Sequence, residues 1–135
     1  MPRIITVIAL VVLAVACGAN PSQREREQAM DRWEVLVRWG EFEALVDFMH
    51  PEWLAENPIS EDDLERLQQF RVTRYRVRQV LAEPDGQAVE RVARLHLYET
   101  TTARERVIDH REIWRYDDDI GRWLLHSGLP DPDTT

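Results

Sequence analysis

The sequence predicts an α+β domain in which N-terminal helices pack on one face of a curved antiparallel sheet of about four strands. Three observations predict it. From residue 23 to 70, apolar residues recur at helical spacing; from residue 72 to 128, they alternate or run in short β-rich stretches. Turn signals separate those stretches, so helices come first and a meander of strands follows.

The first helix is expected from Gln23 to Arg38, with Met30, Trp33, Leu36 and Val37 on its apolar side and Gly40 ending it. A second, Glu41 to Met49, buries Phe42, Leu45, Val46 and Met49. His50-Pro51 stops it, because proline disfavours the helical state of the residue before it. Glu52 to Glu56 adds one more turn ahead of Asn57-Pro58. Ser60 suits the N-cap of a third helix with Leu64, Leu67 and Phe70 as its stripe; Glu61, Asp62 and Asp63 follow where the helix dipole favours carboxylates.

The first strand, Val72 to Glu83, puts Tyr75 and Val77 on one face and Arg74, Arg76 and Arg78 on the other. Its alternation slips before Val80-Leu81, which predicts a bulge or a strand end. Pro84-Asp85-Gly86 is a turn, and Ala88 to Thr100, Val107 to Tyr116 and Arg122 to Gly128 complete the sheet. Asp117 to Gly121 forms the last loop. Residues 24–130 form the domain on this reading, and 131–135 a frayed tail.

The chain opens Met1-Pro2-Arg3 and continues with an apolar run from Ile4 to Ala16, broken only by Thr6. As a helix, that run reaches about 20 Å, short of the ~30 Å hydrocarbon core. Length, basic start and small closing residues fit an export signal over 1–16. Ala14-Val15-Ala16-Cys17 resembles the bacterial lipobox, although the leucine preferred at its first position stands here at Leu13. The resemblance implies cleavage before Cys17, acylation of that residue, and a lipid bilayer as the first partner. Two or more acyl chains anchor stably where one binds marginally. Residues 17–23 then serve as lipidated Cys and tether. Cys17 is the only cysteine, so no internal disulfide is available. Gly18, in place of an aspartate, is similar to enterobacterial signals for the outer membrane, facing the periplasm.

The net charge of −8 lacks the basic footprint of a nucleic-acid binder. Every basic residue is Arg. No nucleic acid, metal or cofactor is expected: there is no Gly-rich phosphate loop and no Ser elbow, and Cys17 is spent on lipid. His50, His96, His110 and His126 are scattered without zinc spacing. The Asp117-Asp118-Asp119 run lacks the pattern of a calcium loop.

Trp39-Gly40-Glu41-Phe42-Glu43-Ala44-Leu45, followed by Phe48-Met49-His50-Pro51 and a closing Arg122-Trp123-Leu124-Leu125, resembles NTF2-like domains. That resemblance implies a cone-shaped α+β fold whose sheet wraps a long helix. Its members include enzymes, dimerisation modules and binders, so the fold alone does not give a function. A strand that many members place between the second and third helices is not evident here.

By period two, the third strand holds Ile108, His110, Glu112, Trp114 and Tyr116 on one face, and the second holds Val92, Arg94, His96 and Tyr98. If those faces coincide, His96, Tyr98, His110 and Glu112 converge in the mouth of the cone. A His beside a carboxylate is how the similar isomerases tune a general base. On the alternative, these polar residues face solvent, Val107, Leu95 and Leu97 fill the core, and Arg94 or Arg111 supplies ion pairs. Trp39 and Trp53 flank helix ends, where an aromatic side chain anchors a partner. Two functions follow. One is an envelope lipoprotein with a non-catalytic binding domain, its partner another envelope protein or a second copy. The other is a small isomerase or hydratase with a His base.

Overall fold

The computed structural model describes residues 21–134. Residues 1–20, on which the expected export signal, lipidated Cys17 and most of the expected tether fall, lie outside the described residues. Helix α1 spans Pro21–Trp39, so Pro21 to Gln23, read from sequence as tether, form its first turn. Proline suits that position, where its missing N–H and fixed φ carry no penalty. Gly40 ends the helix at φ +72, a left-handed conformation open to glycine, and the Glu41 N–H returns to the Leu36 carbonyl at 2.9 Å. The second helical stretch is shorter than its pattern. Helix α2 covers Phe42–Leu45 and tightens into a 3₁₀ turn at Val46–Phe48 before Met49 becomes extended.

Helix α3, Pro51–Glu56, is capped by the His50 ring, whose Nδ1 accepts from the Glu52 N–H at 3.1 Å. Helix α4, Glu61–Gln68, carries the expected cap in reciprocal form. Ser60 Oγ accepts from the Asp63 N–H at 3.1 Å, and Asp63 Oδ2 accepts from the Ser60 N–H at 2.9 Å. The backbone N–H of Ser60, and then its hydroxyl, hold the Asp63 carboxyl below its usual pKa. Replacing Ser60 by Ala removes one acceptor from the helix end. A loss of about 1 kcal/mol is expected, read as a lower urea midpoint with an unchanged slope.

Four antiparallel strands follow in the order β1-β2-β3-β4: Phe70–Ala82, Ala88–Glu99, Arg104–Asp117 and Arg122–Leu125. Strand β3 starts three residues earlier than its pattern, after a turn closed by the Ala103 N–H on the Glu99 carbonyl. Register shifts interrupt β1 between Val72 and Arg74 and between Val77 and Gln79. The second matches the slip in alternation. The α+β class, with N-terminal helices on an open four-stranded antiparallel sheet, is therefore the fold of this chain. Between α2 and α4 no strand forms, but Met49 makes a single parallel bridge to Leu125 and the His50 N–H bonds the Leu125 carbonyl at 2.9 Å.

The helix side of the sheet carries Leu95 and Leu97 of β2, Ile108 and Trp114 of β3 and Leu125 of β4, packed against Trp33 and Val37 of α1. Trp33 and Trp114 meet edge to face at 5.8 Å, and both are fully buried. At the opposite sheet end, residues 131–134 of the expected tail dock against the body. Asp133 takes Arg66 at 2.9 Å and Arg106 at 2.8 Å, and the carbonyl of Pro132, itself buried, accepts from Arg106 at 3.2 Å. Arg66 and Arg106 also hold Glu99, so one charge cluster ties α4, β2, β3 and the C-terminal segment together. No helix of the described residues is long and apolar enough to cross a membrane.

Candidate functional site

Glu112 is the centre of the helix-side face. It stands on β3 between His110 and Trp114, is fully buried, and lies opposite Arg91 in the β2 register. An ionised carboxylate in that position needs donors on both oxygens. Oε1 accepts from Trp33 Nε1 of α1 at 3.0 Å and from the Tyr75 hydroxyl of β1. Oε2 accepts from Arg91 Nε at 2.6 Å and from Trp114 Nε1 at 3.1 Å. Arg91 also donates from Nη2 to the Tyr75 oxygen at 2.9 Å. Burial works against the Arg91 charge, but Glu112 and Tyr75 outweigh it and keep the guanidinium protonated. Burial first, and then the Glu112 charge, push the Tyr75 hydroxyl far up, so it stays a donor.

His110 shares this face without sharing the network. Its ring stacks on Trp33 at 6.1 Å between centroids and 14° between planes. Its buried Nε2 has no hydrogen-bond partner among the described residues. Burial lowers its pKa to about 4; the Glu112 charge opposes the shift and Arg91 adds to it. His110 is therefore a neutral aromatic packing group at neutral pH.

The other two residues of the expected acid–base set lie elsewhere. His96 pairs across to Val107 and Tyr98 to Glu105, on the face away from the helices, whereas His110 faces Ala93 and Glu112 faces Arg91. Period two alone fixes which residues of one strand travel together, not which set meets its neighbour's. The predicted convergence is thus corrected: His110 and Glu112 turn inward, His96 and Tyr98 outward. The solvent-face alternative is also half right. Leu95 and Leu97 are core, but Val107 is 54% exposed on the outer face. There, Arg94 pairs with Asp109 at 2.8 Å and Arg111 with Glu90 at 2.6 Å.

His50, His126 and Asp117, remote in sequence, come together beside β4. His50 Nε2 lies 2.9 Å from Asp117 Oδ2, and the two imidazoles stack at 4.7 Å. Because His50 Nδ1 accepts the Glu52 N–H, its proton sits on Nε2 and is donated to Asp117. Both ring nitrogens are occupied by the fold, so His50 is a brace and not a base. The Ile120 N–H, and then His50, hold the Asp117 carboxyl low, while burial, His50 and Arg115 lower His126. Among the described residues, no three His, Asp or Glu side chains stand close enough to share an ion.

Two open grooves of about 440 Å³ each flank the body. One runs between α1, the 3₁₀ turn and β4, past Arg32, Leu36, Phe48 and Trp123. The other lies between α4 and the C-terminal segment, past Trp53, Ile59, Leu67 and Leu129. Trp53 is half-buried against the core, and Trp39 is 81% exposed at the end of α1. Cys17 lies outside the described residues. Trp33, Tyr75 and Arg91 are not evident from the sequence as partners of Glu112. The available signal was Arg91 in the same alternation as Val89, Leu95 and Leu97, a charge on an apolar face.

No protein-family model matches the chain, and no curated protein matches it. Among solved structures it is similar to a SEC-C motif containing protein from Rhodopseudomonas palustris, with a TM-score of 0.57 at 15% identity. The alignment covers 75% of this chain and 74% of that one. The intermembrane space region of the chloroplast protein ARC6 aligns over 82% of this chain and 95% of its own, at 13% identity and a TM-score of 0.35. The first likeness is one of fold, and the second is too distant to carry an argument.

Proposed function

We propose that the chain is a lipid-anchored protein of the bacterial cell envelope whose domain, read as NTF2-like, is a non-catalytic binding module. One observation carries the second half of this reading. The carboxylate that a general acid–base site would need accepts four donors from α1, β1, β2 and β3, and has no lone pair directed at a ligand. Such a group holds helix to sheet. An isomerase or hydratase would require His96 or His110 within hydrogen-bond reach of a free carboxylate and beside substrate space. His96 lies across the sheet, and His110 has no polar partner at Nε2 among the described residues. Recognition is left to the surface, where both grooves and Trp39 stand open.

The anchor rests on Ala14-Val15-Ala16-Cys17 and is tested directly. Intact-mass spectrometry of the membrane-extracted protein is expected to give a chain beginning at Cys17 and carrying acyl mass. Cys17→Ser is expected to accumulate as an uncut, unlipidated precursor. A bare polypeptide from the wild type would end the lipid reading. The binding role is tested by cross-linked capture from detergent-solubilised envelope, and fails if the wild type retains nothing beyond a tag-only control.

A further inference from the structure

The free edge of the sheet is chemically two-sided. Among the described residues strand β1 pairs only with β2, and every residue from Arg76 to Ala82 is exposed. On the face away from the helices the register aligns Arg71 with Tyr98, Arg74 with His96 and Arg76 with Arg94. Arg78, in the second bulge, lies near enough to Asp109 to lower its pKa, although Arg94 is the main cause. None of these four arginines has a carboxylate within 4.0 Å among the described residues, whereas the nearby Arg94 and Arg111 are each paired. A chain of net charge −8 therefore presents, among its described residues, a row of four unpaired cations along one edge.

The helix side of the same edge is apolar. Val77 aligns with Ala93, Val80 with Arg91 and Ala82 with Val89, all on the helix-side face. Val80 is nevertheless 57% exposed. The bulge between Val77 and Gln79 is what keeps Val80 on that side; unbroken alternation would turn it outward. Charges and bulges also serve simply to stop edge strands from aggregating. That role explains the arginines but not the exposed valines beside them, which work against it.

We propose that this edge, from Arg74 to Ala82, accepts an extended segment of a partner protein as a fifth strand, with acidic residues alternating with apolar ones. Backbone groups of β1 would bond the segment, its carboxylates would meet Arg74, Arg76 and Arg78, and its apolar side chains would cover Val77 and Val80. A second copy of β1 does not fit, because arginines would stand opposite arginines. A bare polyanion would satisfy the cations but leave the valines uncovered. This assignment rests on the binding-module reading and names where and what the module binds.

The test uses the full chain in detergent micelles and a fluorescent peptide of alternating Glu and Val. A Glu/Ser peptide of equal charge and a single-stranded oligonucleotide serve as controls. Expected are new protection of β1 amides from exchange and binding that weakens with salt. Affinity should drop about tenfold or more in Arg74→Glu/Arg76→Glu, in Val80→Glu and with the Glu/Ser peptide. All three substituted residues are exposed, and circular dichroism with an unchanged urea midpoint checks that each variant keeps the fold. Equal binding of the Glu/Ser peptide, displacement by the oligonucleotide without β1 protection, or no change in β1 exchange would overturn the proposal. Envelope capture separates the two readings. If Arg74→Glu/Arg76→Glu retains the wild-type partners, the edge assignment fails and the module stands; if the wild type captures nothing, the module itself fails.

Discussion

Replacing Glu112 by Gln is expected to remove about 3–5 kcal/mol of stability, because it leaves Arg91 as a buried charge without its counter-ion. The substitution keeps volume and shape, so packing around Trp33 and Trp114 is not the cause. Each Glu112 oxygen accepts two donors. A glutamine amide has only one accepting atom, and whichever way it turns, its NH₂ faces two donors it cannot accept from. Domains of this size hold roughly 5–15 kcal/mol in total, so the variant should sit near the edge of folding at 37 °C. Urea denaturation checks this, with the midpoint falling and the slope unchanged.

A double variant sharpens the argument. Arg91→Met with Glu112→Leu removes both charges, and apolar replacement of a whole buried pair is often neutral. Here Trp33 Nε1, Trp114 Nε1 and the Tyr75 hydroxyl would still lack their acceptor, so recovery should be partial. The double variant is expected to lose less than the two single losses combined and more than nothing. A Glu112→Gln protein within about 1 kcal/mol of wild type would mean that the carboxylate is not the tie between helix and sheet.

The elements of this fold were legible wherever the cause is local. Helix α4 follows from Ser60 and the three acidic residues after it, and the second bulge of β1 from a slip in alternation. The pairing of faces was not. Strand β2 offers two sets, and the more apolar one, with Val89, Ala93, Leu95 and Leu97, is interrupted by charges. That first set also holds Arg91 and Glu99; the other holds Val92 and Tyr98 but also Arg94 and His96. Only the register with β3, and the donors that Glu112 requires, choose the first set. The same holds for long-range polar contacts. His50 reaches Asp117, and Arg66 reaches Asp133, each across 67 positions, and neither partner bears a local mark of the other. Asp133 is why the C-terminal segment is docked where composition alone suggested fraying.

Acidification is expected to weaken the fold already between pH 7 and pH 5, and His110 is the principal reason. In the folded chain it stays neutral down to about pH 4 because burial opposes its charge, against an ordinary value of 6.5. Between those limits the unfolded chain binds a proton that the folded chain does not, so stability falls as pH falls. At about 1.4 kcal/mol per pH unit, roughly 2 kcal/mol should be lost between pH 7 and pH 5, and about 3 by pH 4. His126, also lowered by burial, adds in the same direction. The carboxyls of Asp109, Asp117, Asp133, Glu90 and Glu99 are held low by their hydrogen-bonding partners. Their contribution is present above the usual carboxylate range and is lost as pH falls from that range toward their lowered values, so the slope between pH 7 and pH 5 belongs to the histidines. His110→Leu keeps a side chain against Trp33 and removes the orphaned Nε2. It should match or exceed the wild type at pH 7 and lose most of the slope between pH 7 and pH 5, leaving the share that His126→Gln removes. Urea midpoints across that range measure it. A His110→Leu profile parallel to the wild type would show that the imidazole takes up its proton in the folded chain, and that the Trp33 stack is open to water.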